Sequence, residues 1–401
     1  MGILIYLFPA LIDMVLASAG FICTVSAAEK GYSASTVANL VTVMSASYVM
    51  SCFAAGRIVT ERNAVTLLTC ACVLVALVSV GLALFDGIYA KYCLVFLLMA
   101  AAGMFFVPFQ VFMKHMGRRT RRIGESVGLY TLAWSVGFAA GPFLAGFLWT
   151  RLGWQSCHIL NAFAALGTAA GLLLVKRHSD SVHVVDKHLP PEGHAAEYSG
   201  MPDLAWMAWL CGGIGAITFG LVRGILPKTG AALEISKFNQ GMVFFVFCTM
   251  QGVVGMLLGR GRLWMYRPLP LVLLGLCGIV GLAAFAFAET AAMLCLAAAF
   301  YGVYSGTFFF YLVFHALVHP LKGARYVSIN EMVVGITGMI GPFVGGLLAD
   351  RSGLAAPYLF SALLVCGAVV TQAIVHSRHA AIAGPPPPGS QAASATQLQS
   401  V

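Results

Sequence analysis

Residues 137–153 read GFAAGPFLAGFLWTRLG, and residues 337–353 read TGMIGPFVGGLLADRSG. Between Gly141–Gly153 and Gly341–Gly353, seven of thirteen aligned positions are identical: Gly, Pro, Phe, Gly, Leu, Arg and Gly. Such a match implies that the chain is two copies of one unit. Each copy is apolar and holds a Gly-Pro pair in mid-run. In a membrane helix proline frees a carbonyl and bends the axis, while glycine lets a second backbone approach closely. The element suits a helix at a moving interface, and Gly141, Pro142, Gly341 and Pro342 are the expected gating positions.

Composition fixes the setting of this repeat. Of 401 residues, 60% are hydrophobic and 9% charged, too little polar surface for a soluble fold. Apolar stretches of 18 residues or more recur along the whole length, which predicts an all-α integral membrane protein and no separate soluble domain. The net charge of +9 therefore belongs to a membrane context, with no nucleic-acid partner expected. The eleven cysteines fall in or beside apolar runs without a Cys-x-x-Cys pair, so they read as packing residues. The first apolar run has no preceding Lys or Arg and carries Asp13 in its middle, so it reads as a span and not a cleaved leader.

Twelve spans are expected, at about 2–26, 37–57, 64–85, 91–113, 126–149, 155–175, 204–226, 239–259, 268–288, 291–318, 328–349 and 356–376. They form two pseudo-symmetric six-helix bundles, 1–175 and 204–376. The segment 176–203, with Pro190-Pro191 and four histidines, reads as a cytoplasmic linker, and 377–401 as a disordered tail. The linker histidines, His178, His183, His188 and His194, are spaced without cysteine, and no metal site is expected. With the N-terminus inside, sixteen Lys and Arg fall on cytoplasmic segments and seven on the other side. That excess places both termini in the cytoplasm of a cell-membrane protein. The basic run Gly117 to Arg122 is then an orientation signal.

These features together resemble the major facilitator superfamily. The resemblance rests on two six-helix repeats, a basic central loop, GYSAS after the first span, GR-x-x-x-ER after the second, Gly-x-x-x-Gly-Pro in the fifth and GWQSCHILN opening the sixth. It implies a secondary transporter that works by alternating access, without enzymatic activity, cofactor or metal. Its partners would be a small-molecule substrate, a proton and the bilayer, and it would act as a monomer. The loop after span two resembles the family's acidic-basic gating motif in displaced form, so Gly56, Glu61 and Arg62 are expected gating residues. Gly137, Gly141, Pro142 and Gly146 resemble a fifth-helix signature of proton-driven exporters. That favours efflux slightly, with proton-coupled uptake the alternative and a non-transporting receptor or scaffold a third reading. No Gly-x-x-x-x-Gly-Lys-Ser/Thr run is present, so the driving force is a gradient. A membrane-embedded acyl- or phosphoryl-transfer enzyme would need an acid or nucleophile poised beside His158 or His315, and no acidic residue lies within one helical turn of either.

Several side chains are candidates for the transport path. Tyr301, Tyr304, Phe308, Tyr311 and His315 step by 3, 4, 3 and 4 along span ten and share one helical face. Aromatic rings with polar tips suit a substrate cavity, though the same stripe could pack on a neighbour. Gln110 and Gln251 are mid-membrane amides, suited to a cavity wall or to bonds between helices. Arg223, expected three residues inside the end of span seven, either snorkels outward or meets an anionic substrate or an acid near the outer gate. Asp13 is the expected proton-coupling residue. It lies about 16 Å into the first span, near the middle of a core roughly 30 Å thick. It shares a small or polar face with Tyr6, Pro9, Ala17, Gly20 and Thr24.

Overall fold

The computed structural model describes residues 4–60, 62–116, 123–181, 203–260, 264, 267–318 and 323–380. The helices are Leu7–Glu29, Ala34–Ile58, Ala64–Leu84, Ile88–Met116, Ile123–Ser181, Ala205–Ala232, Lys237–Arg260, Pro268–Ala286, Ala291–Val318, Gly323–Ser352 and Ala355–Ala380. Among the described residues these are eleven helices long and apolar enough to cross a membrane. The fifth runs for 59 residues and is interrupted at Gly153, whose φ of 82° and ψ of 162° are not helical. Gly353, the aligned glycine of the second copy, has φ 85° and lies between Ser352 and Ala355, where one helix stops and the next begins. Both glycines hold left-handed backbone that a side chain would oppose. Divided at Gly153, the long helix supplies spans five and six, and the twelve spans expected from sequence are present. Spans one to four and seven to twelve are the other helices in order.

The packing repeats with the sequence. Span two packs on span four as span eight packs on span ten, and span three on span four as span nine on span ten. Span three also packs on the 123–181 run, as span nine does on span twelve. A Cβ on Gly141 would overlap the Met14 carbonyl and the Ser18 amide of span one, and a Cβ on Gly341 the Ile217 carbonyl and the Leu221 amide of span seven. Spans five and eleven therefore correspond at an offset of 200 residues and spans one and seven at 203.

Two seams join the halves, span five on span eight and span eleven on span two. Gly146 packs on the backbone of Lys237 and Phe238, and Gly346 on that of Ser35. Further along, Ser135 faces Gly252, and Gly335 faces Val49. These are corresponding positions with the glycine on opposite partners, so the seams keep their spacing while exchanging which side gives way. One apolar core lies within spans one to four and residues 162–172. A second fills the C-terminal half and extends over the seam to Phe21, Val25, Ala38 and Ala139. Leu77, Leu174, Leu273, Leu296 and Leu363 point outward and exposed, as side chains facing lipid do.

Candidate functional site

The two halves enclose a small cavity lined by Ala17, Gly20, Phe21 and Thr24 of span one, Val41 and Met44 of span two, Phe138 and Pro142 of span five, Arg223 of span seven and Phe244 of span eight. Its volume of about 20 Å³ suffices for one water. The cavity is thus a narrow one at the seam. Three of the small or polar residues expected on the Asp13 face, Ala17, Gly20 and Thr24, form its wall.

Arg223 is the only ionisable side chain in that lining. Span seven continues through Pro227 to Ala232, so Arg223 lies nine residues before its end and not three. That is about 13 Å further in than the interface. The expected snorkelling is corrected by this extension: the guanidinium turns into the seam, with its carbon 4.5 Å from the Phe138 ring and 5.4 Å from the Phe219 ring. Two aromatic faces stabilise a desolvated cation without using its N–H donors. Neither an ion pair nor a hydrogen bond to Arg223 occurs among the described residues.

Asp13 is buried, 8% exposed, on span one. It sits beside the closest approach of spans one and five, where Gly137 packs on the Ala10 backbone and Gly141 on Met14. It too has no hydrogen bond or ion pair among the described residues. Asp13 and Arg223 are within electrostatic reach of each other and of Cys248 on span eight, without touching. A buried acid and a half-buried base, separated in this way, can each take a partner from solution, a proton on one and an anion on the other.

At the end opposite the termini the halves are latched. Asp350 of span eleven accepts from the Ala34 and Ser35 amides at 2.8 and 3.1 Å and from the Ser35 hydroxyl. A carboxylate thus caps the N-terminus of span two from the other half, where the helix dipole favours negative charge. Lys228 donates to the Tyr32 carbonyl at 2.8 Å, and Lys237 pairs with Glu29 at 2.8 Å. Between these latches lies a chamber of about 460 Å³, lined in part by Glu29, Lys228, Glu234, Lys237 and Gln240.

The other expected site residues divide sharply. The span-ten stripe is not an open wall: Tyr301, Tyr304, Phe308, Tyr311 and His315 are each 5% exposed or less. Phe308 fills the space above Gly215, Tyr304 that above Gly278, and Tyr301 packs on Gly281 and bonds Thr218 at 2.8 Å. Tyr311 meets His376 at 3.2 Å and the His315 ring at 4.3 Å. In this structure the rings face glycines and pack, the second of the two arrangements the periodicity allows. Gln251 is likewise interhelical, donating to Ser135 at 3.1 Å across the seam and accepting from Ser305 at 2.6 Å. Gln110 is half-buried and has no hydrogen bond among the described residues. Gly56 and Arg62 are exposed, and Glu61 lies outside the described residues, as do 182–202 and 381–401. Sequence reasoning missed Phe138, Phe219 and Phe244, whose role comes from facing a cation and a cavity across the seam. It also missed Asp350, which could have been found as the only acid in the second copy's 341–353 stretch.

The sequence model of the Major Facilitator Superfamily matches residues 3–321. No curated protein matches the chain.

Proposed function

The chain belongs to the major facilitator superfamily and is an integral, multi-pass membrane transporter, and on that premise we propose that it carries a small organic solute by alternating access, coupled to protons through Asp13. The observation that carries this reading is a buried carboxylate, close to a cavity between the halves, with no hydrogen bond or ion pair among the described residues. An ionisable group at mid-span costs about 2.5–3.5 kcal/mol to insert, and a structural aspartate offsets that cost with fixed partners. Asp13 has none among the described residues, which suits a group that exchanges a proton with water on either side as the bundles rock.

The paired seams support the rocking. Gly146 and Gly346 bring the halves together at the latched end, and the Asp350, Lys228 and Lys237 contacts are polar ones that water can replace. In the orientation expected from the basic residues, this latched end faces outward. Gly56, Glu61 and Arg62 would brace the opposite end.

Direction has less support than coupling. The Gly-Pro element that favours efflux packs on span one in the first copy and on span seven in the second. It therefore belongs to the repeat and carries no preference for export over uptake. Uptake is favoured by one observation, the separation of Asp13 from Arg223: a proton on the first leaves the second free for a solute's negative charge, and the two then travel together.

Wild-type protein and Asp13→Asn in proteoliposomes test the coupling. The variant is expected to fold and to exchange solute for solute, while losing accumulation driven by a pH gradient altogether. Accumulation at the wild-type rate by Asp13→Asn would remove Asp13 from the coupling step.

A further inference from the structure

We propose that the transported solute is an organic anion, a carboxylate on a small apolar body, and that Arg223 is the residue that receives its charge. The proposal rests on the carrier reading above and adds the substrate class to it. Every other side chain lining the central cavity is apolar or, like Thr24, neutral, so the cavity presents a single charge and that charge is positive. A half-buried guanidinium with no carboxylate beside it among the described residues has donors left for a ligand to complete. The Phe138 and Phe219 rings lie 4.5 and 5.4 Å from its carbon, and its N–H donors have no hydrogen bond among the described residues, so they are available to bind a carboxylate with two parallel bonds. Phe21, Phe138, Phe244, Met44 and Val41 supply an apolar surround for the rest of such a molecule.

Repeat symmetry argues the same way. The offset of 203 residues between spans one and seven makes Gly20 the counterpart of Arg223, and Gly20 lines the same cavity. The fold is built at that position without a cation, so the cation answers to something other than the fold. Five residues along span seven, about 7.5 Å towards the latched end, comes Lys228. Its ammonium has one backbone acceptor, Tyr32, and no ion pair among the described residues. It borders the 460 Å³ chamber, in which Lys237 is already paired with Glu29 and Glu234 stands exposed. Arg223 and Lys228 are thus successive cations along span seven, one lining each cavity.

The titratable groups within reach of Arg223 are Asp13 on span one and Cys248 on span eight. An ionised Asp13 repels an anion on Arg223, and a protonated one does not. Anion binding therefore takes up a proton, and carboxylate affinity falls as pH rises.

The test uses purified full-length protein and matched probes: straight-chain and aromatic monocarboxylates from acetate to octanoate and benzoate, each with its amide and its amine. Carboxylates are expected to raise the Tm and to bind at least about tenfold more tightly than their amides. Arg223→Gln should abolish that preference, Arg223→Lys should retain part of it, and Asp13→Asn should flatten its pH dependence. Equal or tighter binding of amides or amines, no response to any probe, or an unchanged carboxylate preference in Arg223→Gln would overturn the proposal. If Arg223→Gln does not fold, Arg223→Lys and Phe138→Leu decide by the same preference. Flux of the bound carboxylate into proteoliposomes separates the two readings. Binding without flux sinks the carrier and leaves the anion site, whereas flux of a neutral or cationic probe alone sinks the anion site and leaves the carrier.

Discussion

Each half of this protein turns one long cation inward, Lys91 buried and Arg223 half-buried, and the halves treat it in opposite ways. In the N-terminal half Lys91, 3% exposed, donates to Ser26 at 2.5 Å and pairs with Asp86 at 2.7 Å, and Asp86 is held on its other side by Lys30. In the C-terminal half Arg223 has two aromatic rings and, among the described residues, no acid in contact. The backbones around them repeat: Gly141 on span one corresponds to Gly341 on span seven, and Gly153 to Gly353. A shared scaffold therefore carries unshared chemistry: one cation is held by fixed partners, and the other, on the proposal above, meets the solute.

The largest effect expected concerns what the halves share. Because a Cβ on Gly141 or Gly341 would meet backbone and not a movable side chain, Gly141→Ala and Gly341→Ala should each cost about 3 kcal/mol. Thermal unfolding of the two variants in detergent should give similar losses. A severe loss in one half with none in the other would break the symmetry argument at its base.

A smaller effect, of opposite sign in the two halves, concerns the cations. Asp86→Ala leaves Lys91 buried with only the Ser26 hydroxyl and should cost about 2 kcal/mol, less than a fully buried pair because Asp86 is 37% exposed on its side chain. Arg223→Gln removes an unpaired charge and should leave stability unchanged or raise it, while carboxylate binding is lost. Burial acts to raise the Asp86 carboxyl, but the hydrogen bonds and charges of Lys30 and Lys91 outweigh it and hold the group below the usual carboxylate range. Its contribution is thus full above the unfolded value of about 4 and fades as pH falls through the lowered one. Wild-type protein should lose that increment on acidification, and Asp86→Ala should not. A destabilised Arg223→Gln would place Arg223 with Lys91, among the structural charges.

The scaffold was legible in the sequence because it depends on properties that short stretches carry. Apolar length gave the spans, and the Gly-Pro repeat gave the two-fold arrangement. Boundaries shifted where local chemistry misleads: Pro227 reads as a helix end but is accommodated inside span seven, which moved Arg223 from the interface to the cavity. The site was less legible. Asp13 could be singled out because a mid-span carboxylate is rare, but the periodicity that aligns Tyr301, Tyr304 and Phe308 is the same for a wet face and a packed one. What decides is the opposite surface, Gly215, Gly278 and Gly281, and these lie on spans seven and nine, far away in sequence. Phe138 escaped notice for the same reason, since a phenylalanine on an apolar helix signals nothing until a guanidinium is found above it.

The smallest effect expected tests that packed face. The hydroxyls of Tyr301 and Tyr304 are a turn apart on span ten, but they are not equivalent. Tyr301 shares a hydrogen bond with Thr218, while the Tyr304 hydroxyl is buried with no partner among the described residues. Removing a made bond costs about 1 kcal/mol, whereas removing a buried hydroxyl that has none relieves its desolvation penalty. Thr218 keeps the Gly215 carbonyl as acceptor, so Tyr301→Phe orphans nothing further. Tyr301→Phe should therefore lower stability by about 1 kcal/mol, and Tyr304→Phe should leave it unchanged or raise it by a similar amount, with wild-type transport in both. If Tyr304→Phe is more stable yet carries solute poorly, the hydroxyl is held unpaired for the solute. In that case the second half contributes a polar contact besides Arg223, and the division between scaffold and transport chemistry runs through span ten as well.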